Sequence, residues 1–295
     1  MTANAQRHRS PLGLFPHKPM PRLYDRILEI LRVRHYSRRT ERAYVHWIRR
    51  YIEFYDHQHP GGFAESDVNR FWTYLAVKEN VAASTQNQAL SALLFLYQHV
   101  LRLPLERIEG VVRARRPKKL PVVMTPDEVA QVMAHFSGDK WLIVTLLYGG
   151  SLRLLEALRL RVKDLDFGRG EITVREGKGN QDRVTILPQL AIQPLQQHLG
   201  RVRAMHERDV ADGYGGVDLP HALGRKYPNA NRQWAWQFVF PQEHRWVDSQ
   251  TGEQGRHHVH ESLVQKAVAA AVHKAKLAKR VTCYDWSCVE FLSVC

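Results

Sequence analysis

Ten residues near the first third of the chain, VRARRPKKLP (112–121), constrain its folding more than any others. Pro117 and Pro121 fix their own backbone and lack an amide donor, so neither a helix nor an interior strand runs through this stretch. It holds five basic residues, Arg113, Arg115, Arg116, Lys118 and Lys119. Such a segment reads as an extended cationic linker. One hydrophobic core usually serves about 100–200 residues, so a chain of 295 residues divided here is expected to form two domains. Residues 1–22, with four prolines and no apolar run, read as a flexible arm rather than a signal peptide.

The segment before the linker has helical periodicity throughout. Helices are expected over 23–33, 37–56, 66–80 and 84–101, the third capped by Ser66 after a Pro60-Gly61-Gly62 loop. In the second, Tyr44, Trp47, Ile48, Tyr51 and Tyr55 recur at helical spacing. An apolar stripe of this kind is a core face before it is a set of base-stacking platforms. Arg42, Arg49 and Arg50 fall on other faces of the same helix, where they are candidates for phosphate contact or simply a solvated surface. The whole-chain balance favours phosphate: 43 Lys and Arg against 29 Asp and Glu give a net charge of +14. A polyanion, with nucleic acid ahead of membrane surface, is the partner that such an excess implies.

After the linker the pattern mixes helix and strand. Thr125, Pro126 and Glu128 form an N-cap, a first-turn proline and a capping box. A helix through WLIVTLLYGG ends at paired glycines, and a short helix and a strand come next in SLRLLEALRLRVKDLDF. Ile172 and Val174, then Val184 and Ile186, alternate as in half-buried strands joined by turns. Residues 218–262 are irregular and rich in Trp and His, and LVQKAVAAAVHKAKLA then reads as a helix. The fold class is mainly α with a small antiparallel sheet, an α+β arrangement. The longest apolar runs, WLIVTLLY and AVAAAV, are too short to cross a bilayer.

Two positions in this second half carry chemistry. Arg153, just past the Gly149-Gly150 helix end, can point a guanidinium outward, with Glu156 one turn on to orient it. Lys178 sits between glycines at the tip of REGKGNQDR, where it can reach into a groove and donate a proton. A structural Arg–Glu pair and an ordinary polar turn are the plainer alternatives. In the irregular region HHVH could bind zinc, although it lacks accompanying cysteines.

Taken together, HYSRRTERAYVHWIRRYIEF, YGGSLRLLEALRLRVKDLDF and REGKGNQDRVTILP resemble the tyrosine recombinases. The segment LPHALGRKYPNANRQWAW…RHHVHES narrows the resemblance to the integron integrases, which carry an added segment of that pattern. The resemblance covers roughly residues 23–282. It implies a helical core-binding domain over 23–112, a linker over 113–120 and a catalytic domain from 121 that together clamp DNA as a C, assembled as a tetramer. It implies strand cleavage by a tyrosine without metal, ATP or other cofactor, through a 3′-phosphotyrosyl bond. Arg153 matches the first arginine holding the phosphate oxygens, Glu156 the acidic residue behind it, and Lys178 the lysine protonating the leaving oxygen. One departure is Ser151-Leu152 before Arg153, where the family usually has glycine, so an altered turn is expected. In the added segment the resemblance implies contacts to bases protruding from a folded single strand. Trp234, Trp236, His257 and His258 are the candidates, with core packing the alternative for the tryptophans.

The three cysteines, Cys283, Cys288 and Cys295, all fall in the last thirteen residues. The resemblance calls for a His-x-x-Arg helix beginning near 283 and a nucleophilic tyrosine several dozen residues later. CYDWSCVEFLSVC supplies neither, and Tyr284 stands where a helix should start. The expectation is therefore a shifted reading frame over 283–295, no cleavage by this chain alone, and exposed apolar patches on WLIVTLLYGG and LVQKAVAAAV. A cysteine-free body without an export signal suits the cytoplasm.

Overall fold

The structure, a computed structural model, describes residues 22–103, 122–175, 181–219, 223–227, 229–247 and 252–287. The chain divides into two compact units, Met1–Lys119 and Leu120–Cys295.

Among the described residues the first unit is all-helical. Helices α1 (Leu23–Val33), α2 (Arg38–Phe54), α3 (Glu65–Val77) and α4 (Ala83–Phe95) are followed by a π-helical turn over Leu96–Leu101. Ser37 caps α2, its hydroxyl accepting from the Thr40 amide. The start of α3 differs from expectation. Ala64 is the N-cap residue, and the Asp67 carboxylate accepts from its amide at 2.8 Å, so Ser66 lies inside the first turn. The aromatic stripe is core: Trp47, Ile48 and Tyr51 are buried against Phe71, Leu75 and Tyr97. Because a buried hydroxyl must be paired, Tyr51 and Tyr97 bond to each other at 2.9 Å and Tyr97 donates onward to the Pro60 carbonyl.

The second unit is built around α6 (Gly138–Gly149), of which Leu142 to Leu147 are all buried. It comes after α5 (Pro126–Met133), whose capping box is formed as expected by Thr125 and Glu128. Short α7 (Leu154–Leu158) leads into an antiparallel sheet ordered β1 (Leu165–Asp166), β2 (Glu171–Val174) and β3 (Arg183–Ile186). Long α8 (Gln189–Ala211) packs on α6. After α9 (Leu223–Lys226) come a two-stranded ribbon, β4 (Trp246–Val247) with β5 (Gln254–Gly255), and α10 (Glu261–Lys274). The region between α8 and α10 is held by side chains reaching backbone. Arg256 grips Asp209 through both arms of its fork (2.5 and 3.0 Å), and the Gln237 amide bridges the carbonyls of Gly215, Asn231 and Gln233.

Two expectations are corrected. Ile172 and Val174 are buried, but Val184 and Ile186 face outward, 59% and 52% exposed. Cross-strand partners share a face, and the register pairs Ile172 with Thr185 and Val174 with Arg183. The inward positions of β3 are therefore Arg183 and Thr185. Nor are α6 and α10 left bare. Val264, Val268, Ala271 and Val272 of α10 are buried, and residues 281–287 pack into the same core through Val281, Cys283 and the fully buried Trp286. The Trp286 ring lies edge-on to Tyr148 and Phe136, and Lys279 pins the approach by pairing with Glu128 at 2.8 Å. Cys283 is a buried free thiol; Cys288 and Cys295 lie outside the described residues.

Candidate active site and nucleic-acid interface

The first site forms where α6 gives way to α7. A Cβ on Gly150 would sit 2.8 Å from the Leu146 carbonyl, so the closing turn admits only glycine there. Ser151 then adopts the left-handed conformation (φ +49°). That conformation costs an L residue about 1–2 kcal/mol. At the position where glycine was the expected residue, serine thus bears the strain of a left-handed backbone. Fully buried Leu152 anchors the next step, and Arg153 is delivered as the N-cap residue of α7.

Glu156 gathers the charged groups around this turn. Its Oε2 accepts from the Arg153 amide (2.9 Å) and its Oε1 from Arg153 Nη1 (2.8 Å). A second guanidinium, Arg183 on β3, binds the same carboxylate through Nη1 (3.0 Å) and Nη2 (2.7 Å), and Nη2 also reaches the Ser151 carbonyl. Burial alone would raise the Glu156 pKa, but the hydrogen bonds from Arg183 and Arg153 outweigh it and hold the group at about 2. Thr185 ties the same strand to the turn by donating to the Gly150 carbonyl. Sequence reasoning named Arg153 and Glu156 but missed Arg183. No local signal marked it, because Arg183 arrives from β3 and its inward position follows from the register with β2. Lys178 lies outside the described residues.

The second site is a cavity of about 270 Å³ in the irregular region. It is lined by the cations Arg159, Lys163 and Arg175, by the rings of Trp236, Phe238, His257 and His258, and by Asp164 and Asp218. Arg161 builds the wall. Its guanidinium lies 3.8 Å over the Phe238 ring and donates to the carbonyls of Trp236 and Asp218, each at 2.7 Å. Buried Asp164 accepts from the Arg161 amide and from Arg175 Nε. Lys163 Nζ sits 3.4 Å from the Trp236 ring centre, a cation–π contact. Burial, then the nearby Arg175, lowers the lysine's pKa. The His257 and His258 rings are 4.2 Å apart. Burial, with the positive charge of Arg159 adding to it, lowers His258 to about 4, so it is neutral at physiological pH. Among the described residues no group of three metal-ligating side chains occurs.

Of the four expected base contacts, Trp236, His257 and His258 share this cavity and Trp234 does not line it. The Trp234 indole packs against the core, beside His206 (6.0 Å) and Arg203 (5.9 Å) of α8. In the helical unit Arg42 and Arg49 are exposed, whereas Arg50 pairs with Glu79 at 2.7 Å and lies over Trp47. Arg113, Arg115, Arg116, Lys118 and Lys119 fall outside the described residues. No helix of the described residues is long and apolar enough to cross a membrane.

Comparison with known proteins gives a consistent answer for both units. The family model for the phage integrase N-terminal SAM-like domain matches residues 23–107, and that for the phage integrase family matches 122–285. An integrase/recombinase of Escherichia coli is 44% identical over 261 residues, 88% of this chain and 77% of its own length, and one of Pseudomonas aeruginosa gives the same figures. A lambda integrase dimer bound to a COC′ core site shares the fold with a TM-score of 0.55 at 12% identity, over 90% of this chain and 82% of that one. The chain belongs to the phage integrase family, the tyrosine recombinases that carry out site-specific DNA recombination.

Proposed function

We propose that this chain recognises integron-type recombination sites, folded single strands as well as duplex, and addresses the scissile phosphate through Arg153 with Lys178 as proton donor. The supporting observation is the cavity, whose lining brings the rings of Trp236 and the two histidines together with three cationic side chains. A base extruded from a helix needs a π-face to stack on, and its flanking phosphates need cations. A neutral His258 adds ring surface without a further charge. At the first site, Arg153 uses one guanidinium nitrogen on Glu156 and is about half exposed, which leaves an edge for a non-bridging phosphate oxygen. Assembly as a tetramer on DNA belongs to the same reading.

The test is a salt-titrated gel shift with two hairpins that differ only by one unpaired base. The reading expects tighter binding of the hairpin bearing that base, and loss of the preference in Trp236→Ala and His257→Ala. Equal binding of both hairpins by the unaltered chain would overturn it.

The reading further holds that these 295 residues bind recombination sites without cleaving them. From Cys283 onward there is neither arginine nor histidine, and the tyrosine there, Tyr284, directly precedes the single turn Asp285–Ser287. On a nicked suicide substrate no covalent protein–DNA product is expected. Such a product, formed by this chain without added polypeptide, would contradict the reading.

A further inference from the structure

The carboxylate of Glu156 is contested by two guanidinium groups. Arg183 takes both oxygens, Oε1 at 3.0 Å and Oε2 at 2.7 Å, while Arg153 reaches only Oε1 with its side chain. With the Arg153 amide also bound to Oε2, each oxygen accepts two hydrogen bonds, the capacity of an ionised carboxylate. Glu156 is nearly enclosed, its side chain 9% exposed, so its charge is felt strongly by whatever lies beside it.

The charges decide what this means. A lone Arg–Glu pair is neutral, and an arginine paired through its fork to a buried carboxylate offers little to a phosphate. Here two cations face one anion, and the fork contact belongs to Arg183. The surplus positive charge is left on Arg153, whose side chain is 48% exposed against 35% for Arg183. Arg183 also donates to the Ser151 carbonyl, which fixes the left-handed turn that delivers Arg153.

We infer that Arg183 is a positioning residue: by engaging Glu156 through its fork it keeps Arg153 from collapsing onto that carboxylate, so that the Arg153 guanidinium stays open for phosphate. The inference rests on the reading of Arg153 as a phosphate ligand. It carries an unusual signature. If Arg183 merely holds β3 against α7, removing Glu156 as well cannot repair its loss. If Arg183 acts by occupying Glu156, neutralising that carboxylate must restore Arg153. Glutamine at 156 retains the amide-capping geometry of the short helix, so the suppressor does not dismantle the turn.

The test uses the full chain with ¹⁵N-labelled arginine, titrated with inorganic phosphate while the Arg153 Nε–Hε resonance is tracked, assigned through Arg153→Lys. One charge-assisted hydrogen bond is worth about tenfold in affinity. Arg183→Gln should therefore weaken phosphate binding at Arg153 by about tenfold, and Glu156→Gln/Arg183→Gln should return it to within about twofold of the parent. A double variant as weak as Arg183→Gln, or an Arg183→Gln chain that binds as the parent does, overturns the inference. An Arg153 resonance that never responds to phosphate in the parent chain instead overturns the phosphate reading itself, and the inference with it.

Discussion

Replacing Trp286 by alanine should selectively loosen the second unit, and the structure sets the size of the effect. The indole is fully buried among core side chains, edge-on to Tyr148 and Phe136. Truncating such a ring costs about 3–5 kcal/mol through lost transfer energy and the cavity left behind. Among the described residues the buried indole nitrogen of Trp286 has no hydrogen-bond partner. Removing an orphan donor gives back about 1–3 kcal/mol. Taking the middle of each range, the net expectation is a loss of about 2 kcal/mol, or roughly 30-fold in the opening equilibrium. Hydrogen–deuterium exchange of the whole chain reads this locally. Peptides covering 141–149 of α6 should exchange faster, while peptides from α2 in the other unit serve as the control. Trp286→Phe keeps the ring contacts and drops the unpaired N–H, so it should cost less than about 1.5 kcal/mol. Unchanged exchange in α6 of Trp286→Ala, or equal acceleration in α2, would refute the assignment of residues 281–287 to this core.

The geometry sets three further outcomes. Ser151→Gly should stabilise the second unit by about 0.5–1 kcal/mol, because it relieves a left-handed serine at some cost in unfolded-chain entropy; urea denaturation that finds it destabilised would contradict the strain. Glu156 has a pKa depressed to about 2, so its contribution to stability is fully present above its ordinary value near 4.5 and is lost as pH falls towards 2. Glu156→Gln should lack that part of the acid-unfolding profile, and an unchanged profile would argue against the double-arginine clamp. In the helical unit, Arg42→Ala and Arg49→Ala should each lower the slope of log affinity against log salt by about 1. Arg50→Ala, which breaks a pair with Glu79, should change that slope less; equal slopes for all three variants would count against these phosphate contacts.

Much of the fold was legible because it depends on local pattern. Helix α1 runs over the same residues that the periodicity marks, and the Thr125–Glu128 box caps α5 as written in the sequence. Where long-range bonds decide, the pattern misleads. The alternation of Val184 and Ile186 suggests a buried face, yet the register turns Arg183 and Thr185 inward to serve Glu156 and the Gly150 carbonyl. The same cause hid the site's second guanidinium. Arg153 and Glu156 are three residues apart and visible together, whereas Arg183 arrives from another strand. The cavity was only partly readable: the histidine pair and Trp236 were marked by residue type, but Arg161, which ties Trp236 and Asp218 into one wall, looks like any basic residue in sequence. Trp286 was obscured by its setting, since the unusual composition around it gave no sign that its indole fills the core.

The most direct test of the account is to place 2-aminopurine at the protruding position of a folded single-stranded hairpin and record its fluorescence on binding. Stacking of that base on Trp236 and His257 predicts quenching by the unaltered chain and restored brightness with Trp236→Ala at saturating protein. A base that stays bright in the complex, or is quenched equally by Trp236→Ala, would contradict the claim that this cavity receives it.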